Sequence, residues 1–143
     1  MIDHASIAHN SQALQPSNSK EHHSKLAQTT ASLETITRHI SKELPDTLVL
    51  IAPHDTHSEE GKMTIHVPPT YKATFEEFGD LVTSSTFTSD PLLADSLKAH
   101  LLKNDIGVVY DSDEHLEYSS SVPLVFFTKG HQPKILVIHP NTS

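Results

Sequence analysis

Cysteine is absent from this 143-residue chain, which excludes disulfides, thiolate metal sites and cysteine nucleophiles and permits a reducing compartment. Tryptophan is missing too, and glycine occurs only four times. The phosphate-binding patterns GxxxxGKS/T and GxGxxG do not occur, nor do the GxSxG nucleophile elbow and the HExxH zinc motif. Nucleotide binding and serine hydrolysis therefore drop out. Positive charge is scarce, with 10 Lys and Arg against 18 Asp and Glu and a net charge of -8. Such a surface repels polyphosphate and offers no basic stripe, so neither nucleic acid nor an anionic membrane is an expected partner. No apolar run approaches the roughly 20 residues that span a bilayer, and the start MIDHASIAHN has neither the basic region nor the apolar core of a leader. A soluble cytoplasmic protein is the simplest expectation.

What the chain does have is histidine, 12 in all, and an apolar content of 36% that suits one ordinary core. Imidazoles titrate near pH ~6.5, so mild acid moves the net charge toward zero and solubility should depend on pH. Residues 1–24 read as a polar lead-in containing a candidate ligand strand, and 25–143 as the single α/β domain. From Leu26 the spacing of Leu26, Thr30, Leu33, Ile36, Ile40 and Leu44 predicts one face of an amphipathic helix that Pro45 ends. Thr47 to Ala52 then predicts a central strand covered on both faces. Met63, Ile65 and Val67 alternate with Thr64 and His66 as a half-buried strand. Tyr71 to Thr86 is ambiguous: Phe75, Phe78 and Leu81 could be helical, while VTSSTFT favours extended structure.

Ser89, Asp90 and Pro91 signal a helix start, and Leu92, Leu93, Leu97, Leu101 and Leu102 its buried stripe. Ile106 to Tyr110, Val122 to Phe127 and Lys134 to Ile138 are further strand candidates. Helix and strand alternate, which points to an α/β fold with a mostly parallel central sheet and helices on its faces. The last strand, Lys134 to Ile138, is the candidate for an exposed edge through which a homodimer or a partner subunit could complete the sheet.

The segment PDTLVLIAPHDTH stands out, because an aliphatic strand there runs straight into His54, and open α/β sheets bind ligands at the carboxyl ends of their strands. Neutral imidazoles suit iron, zinc, copper and nickel, so His54, His57 and His9 are candidate ligands. Spacing alone does not choose between that role and a strand-end cap with an exposed neighbour. The run Asp111 to Tyr118, DSDEHLEY, offers carboxylates but lacks the glycine turn of a calcium loop, and charge runs are usually solvated. His22 and His23 could bind adventitious metal, but paired histidines in a polar lead-in are more often unstructured, and His39, opposite the apolar stripe of its helix, reads as exposed.

These pieces resemble the class III extradiol ring-cleavage dioxygenases, in the superfamily of their catalytic subunits, which includes the Memo-like proteins. SIAHNSQAL is similar to the family's first ligand segment and implies a metal-binding His9. PDTLVLIAPHDTH is similar to the second and implies His54, while the later order of extended segment, helix, strand and VPL element is similar as well. The resemblance implies an Fe(II) site (zinc being the other metal such donors suit) that opens a small aromatic diol with O2. It also implies that the chain corresponds to the N-terminal half of longer relatives, whose third ligand lies in the other half. Within this chain Glu59, Glu60, Glu114 and Glu117 are the candidate substitutes, and nothing in their spacing selects one. Where the family has Leu-Asp-His-Gly this chain reads Leu116, Glu117, Tyr118 and Ser119, and an unperturbed phenol titrates near pH ~10, too high to replace an imidazole. That departure leaves the catalytic residues unassigned. It also opens a second reading, a noncatalytic Memo-like binding or assembly protein using the same cleft.

Overall fold

A computed structural model describes residues 26–52 and 59–140 of the chain. Its frame is a four-stranded sheet in the order β1-β6-β2-β5, formed by β1 (Thr47–Ile51), β2 (Lys62–His66), β5 (Gly107–Asp111) and β6 (Lys134–His139). β1 pairs parallel with β6 and β2 parallel with β5, each over five residue pairs. One antiparallel seam of three pairs, Thr64–His139, Ile65–Ile138 and His66–Val137, joins the two halves. The fold is thus α/β with a mostly parallel central sheet. A separate antiparallel hairpin, β3 (Thr70–Phe75) and β4 (Asp80–Thr88), packs over one face. Its turn is built by Gly79, at φ +86, and by the Asp80 carboxylate, which accepts from the amides of Val82 and Thr83.

Helix α1 (Ala27–Glu43) forms where the three-and-four spacing predicts it, burying Leu33 and Ile40. Helix α2 (Pro91–Lys103) starts as the sequence signals: the Asp90 carboxylate accepts from Leu93 N–H, with proline in the first turn. Its buried stripe differs from the expected one. Ala94 is sealed in and Leu97 and Leu101 pack below it, whereas Leu92 and Leu102 face outward. The helix lies over β2, β5 and β6, and a small residue at position 94 lets the backbone approach closely enough to bury the stripe around it.

Three further expectations are corrected. Val122 to Phe127 belongs not to a strand but to helix α3 (Tyr118–Phe127), with Pro123 in its interior. Residues on nearly every side of this helix are buried, its three serines included, so it carries no exposed polar stripe, and its apolar half Val122–Phe127 is indistinguishable by periodicity from a buried strand. α3 packs against α1 in a cluster of Leu33, Ile40, Phe75, Val122, Phe126 and Phe127. The Thr37 hydroxyl fastens the pair by donating to Phe126 O at 3.0 Å. The second correction concerns β1, which among the described residues ends the sheet rather than occupying its centre. Val49 and Ile51 stay exposed on the face where α2 stops short of them. The third is Lys134 to Ile138, which is paired on both sides as β6 and so is not the exposed edge expected for dimerisation.

Alternation sorts the side chains of the sheet. One face presents Ile65, Leu136 and Ile138 to α2; the other presents Leu48, Leu50, Ala52, Ile135 and Val137 to Tyr71, Ala73 and Phe87 of the hairpin and to Leu124 of α3. Among the described residues no helix is long and apolar enough to cross a membrane.

Candidate functional site

His54 and His57, like His9, lie outside the described residues. Their approach is described: β1 delivers the chain to Ala52, two residues before His54, and the backbone there is held at both ends. Ala52 N–H donates to Ile138 O at 2.9 Å. The Ala52 carbonyl lies 3.0 Å from Nδ1 of His139, at the end of the neighbouring strand. A carbonyl can only accept, so Nδ1 carries a proton and donates it to Ala52 O.

His139 does not stand alone. Across the antiparallel seam it faces Thr64, and His66 follows two residues later on the same side of β2. The two imidazoles meet diagonally and edge-on, with ring centroids 4.7 Å apart and planes at 66°. β5 sets Asp111 opposite His66, 3.6 Å from carboxylate oxygen to Nδ1. His66 and His139 are only 6% and 5% exposed, so this is an interior polar cluster in a sheet whose other face is aliphatic. Asp111 also shapes the chain that follows: its Oδ1 accepts from Asp113 N–H, and Asp113 in turn accepts from His115 N–H. The DSDEH run is therefore a pair of side-chain-capped turns.

Thr64 is 1% exposed and its hydroxyl has no hydrogen-bond partner among the described residues. Tyr71, fully buried in the hairpin, inserts its hydroxyl where the β2–β6 ladder ends. It donates to His66 O at 2.5 Å and accepts from Val137 N–H at 3.3 Å. Burial pushes its phenol up to about 12, only partly offset by the Val137 amide. Tyr71 is thus a neutral strut holding the backbone beneath His66.

Two of the four carboxylates proposed from sequence are in ion pairs, and no contact places Glu60 or Glu117 beside the histidines. Glu59 pairs with Lys62 at 2.6 Å, Glu114 with Lys72, and Glu117 precedes α3 without capping it. Tyr118 begins α3 and meets Phe78 edge-on, ring centroids 6.1 Å apart. Asp111 is the carboxylate that reaches the histidines. The signals for the cluster were present in the sequence: KILVIH runs an aliphatic strand into a histidine just as LVLIAPH does, and strand alternation puts Thr64 and His66 on one side.

Among the described residues no three His, Asp or Glu side chains gather so as to hold a metal ion. What they supply fits the surroundings of one: nitrogen and oxygen chemistry, and an imidazole whose Nδ1–H is tied to a backbone carbonyl, as happens around metal-bound histidines. The model of the family described as the catalytic LigB subunit of aromatic ring-opening dioxygenase matches residues 3–142. No curated protein matches the chain.

Proposed function

We propose, since this chain belongs to the family of the catalytic LigB subunit of aromatic ring-opening dioxygenase, that it is a non-haem Fe(II) enzyme cleaving catechol-type diols with O2 in the cytoplasm. His9 and His54 would hold the metal. Fe(II), when bound there, would supply the redox chemistry that opening a diol ring with O2 requires. The chain's own residues do the rest. The clamp on Ala52 orients the strand end that leads to His54. The imidazoles of His66 and His139 place nitrogen donors and acceptors beside that strand end, and Asp111 faces His66.

The observation that carries this reading is the buried His66–His139–Asp111 cluster on the strands next to Ala52. Burying imidazoles inside a sheet costs stability unless their hydrogen bonds are met, a cost that a functional site accounts for. After anaerobic reconstitution with Fe(II) the protein should retain about one iron per chain, and His54→Ala should abolish retention. Oxygen uptake with protocatechuate-like diols should follow the iron. A wild type that stays metal-free overturns the proposal.

A specific observation favours a second reading, a noncatalytic Memo-like binding protein. Tyr118, where the family carries a histidine, is turned toward Phe78. That reading requires no oxygen uptake with any diol and a rise in thermal stability on adding the partner.

A further inference from the structure

We propose that the open edge of β4 pairs with the β4 edge of a second copy of this chain, antiparallel and centred on Ser84. The hairpin itself shows which backbone groups that edge offers. Lys72 of β3 donates its N–H to Glu114 O and accepts at its C=O from Leu116 N–H, so both groups face away from β4. Residues opposite each other in an antiparallel pair point their backbone groups alike, both toward the partner strand or both away. Thr86, opposite Lys72, and Ser84, opposite Thr74, therefore turn theirs to the open side of β4. Gln132 marks the same direction, its Nε2 donating to Thr86 O at 2.9 Å. Nearer the turn, the Asp80 carboxylate accepts from Val82 N–H and from Thr83 N–H. A trans peptide sets its C=O opposite its N–H, so Val82 O points away from that carboxylate. Among the described residues no strand pairs with this side of β4.

The engaged and the available groups match about Ser84. Two copies related by a twofold axis set Ser84 against the partner's Ser84 and Val82 against the partner's Thr86. The serines exchange two N–H to C=O bonds, and each Thr86 N–H donates to the partner's Val82 O. The groups already engaged, Val82 N–H and Thr86 O, fall opposite each other, so the pairing loses nothing to them. Side-chain chemistry also favours a copy over a charged partner. From Leu81 to Ser89 there is neither a charge nor a proline, the features that ordinarily block an edge, although the chain carries a net charge of -8. The hydroxyls of Thr83, Ser84, Ser85 and Thr86 donate as well as accept and so complement themselves. Leu81 and Val82, 79% and 90% exposed, gain the partner's Phe87 and the partner's Thr86 as cross-strand neighbours. By contrast, β1 and β5 are five residues long against nine for β4, and β5 ends on the acidic run that starts at Asp111, where two copies would repel.

The proposal is independent of the iron reading, and sedimentation velocity of the metal-free chain tests it. The wild type should show a reversible dimer whose share rises with concentration. Ser84→Lys sets two ammonium groups against each other at the twofold axis and should weaken the dimer at least roughly 10-fold. Because the Ser84 side chain is exposed, the thermal unfolding of that variant at low concentration should match the wild type. A dimer that Ser84→Lys leaves intact overturns the proposal. Cross-linking checks the register, since the chain has no cysteine of its own. Ser84→Cys places two thiols on residues whose Cα atoms lie about 5.5 Å apart, within disulfide reach, and should form a covalent dimer under mild oxidation. Val82→Cys, more exposed but four residues out of step with its own copy, should not. Equal cross-linking of the two variants overturns the pairing. So does a wild type that stays monomeric at every concentration: slow amide exchange at Ser84 and Thr86 would then assign the edge to another segment of the same chain, and fast exchange would leave it open.

Discussion

The two faces of the four-stranded sheet are made by the same strands and serve different ends. Toward α2 the central strands present Ile65, Leu136 and Ile138, and nothing polar interrupts the contact with Ala94, Leu97 and Leu101. Toward the hairpin the same strands present aliphatic residues at one end, then Thr64, His66, Asp111 and His139 beside the place where β1 ends. A dry face fixes register through packing, because a one-residue slip would turn Ile65 and Ile138 outward. The other face uses that register to bring two imidazoles and a carboxylate together across three strands. Apolar residues of both faces hold the fold; the polar cluster at the end of the second is held by it.

The largest effect that could break this contrast is on the dry face. Leu136→Ala, at a fully buried position, should cost about 2–5 kcal/mol, measured by urea unfolding. A loss below about 1 kcal/mol would mean that this face contributes less to the fold than its burial implies. Next is Tyr71→Phe, which removes the hydroxyl that satisfies His66 O and Val137 N–H and should cost about 1–3 kcal/mol. The same group has a pH signature. Its phenol is raised from 10.0 to about 12 in the folded state, so the unfolded chain ionises first. Stability should be unaffected by Tyr71 below about pH 10 and fall by about 1.4 kcal/mol per unit from there toward about 12. Tyr71→Phe should remove that alkaline slope, and its persistence would assign the slope to other groups.

A smaller effect is expected at Asp90, which caps α2 and accepts from the Thr47 hydroxyl at 2.6 Å, tying the helix to β1. The Thr47 hydroxyl first, then the Leu93 amide, hold its carboxyl below the usual carboxylate range. Its contribution is therefore present above the unfolded-state value and lost as pH falls through the folded one. Asp90→Ala should cost about 1 kcal/mol at neutral pH and flatten the acid limb of a stability profile. The smallest effect sharpens the contrast on the polar face. Thr64→Val replaces a buried hydroxyl that lacks a partner among the described residues by a methyl group and should be neutral or stabilising by up to about 1 kcal/mol. A clear destabilisation would show that the hydroxyl is satisfied by an ordered water, a structural part of the cluster.

Local signals in the sequence carried much of this fold. Helix α1 was legible from its apolar spacing, the start of α2 from the Asp90–Pro91 pair, and β1, β2 and β6 from aliphatic runs or alternation. Each of those signals acts within one element. Helix α3 was not legible, since burial on all sides erases the polar stripe that would mark a helix. Of the site, the strand end at Ala52 was legible, while His9, His54 and His57 fall outside the described residues. For His66, Asp111 and His139 the sequence holds only local signals, a strand ending in His139 and an alternation that puts His66 beside Thr64; that the three meet is not among them.

What the sequence by itself determined is the chemistry available: no thiol, no phosphate loop, an acidic surface and many imidazoles, together with the elements that short-range periodicity can specify. Only the tertiary structure decided strand order, and with it the meeting of positions 66, 111 and 139 beside Ala52. The physical reason is that neighbours in a sheet are chosen by burial and backbone pairing across long sequence separations. No local pattern encodes that β6 rather than β5 lies against β1, and that adjacency puts His139 on the Ala52 carbonyl.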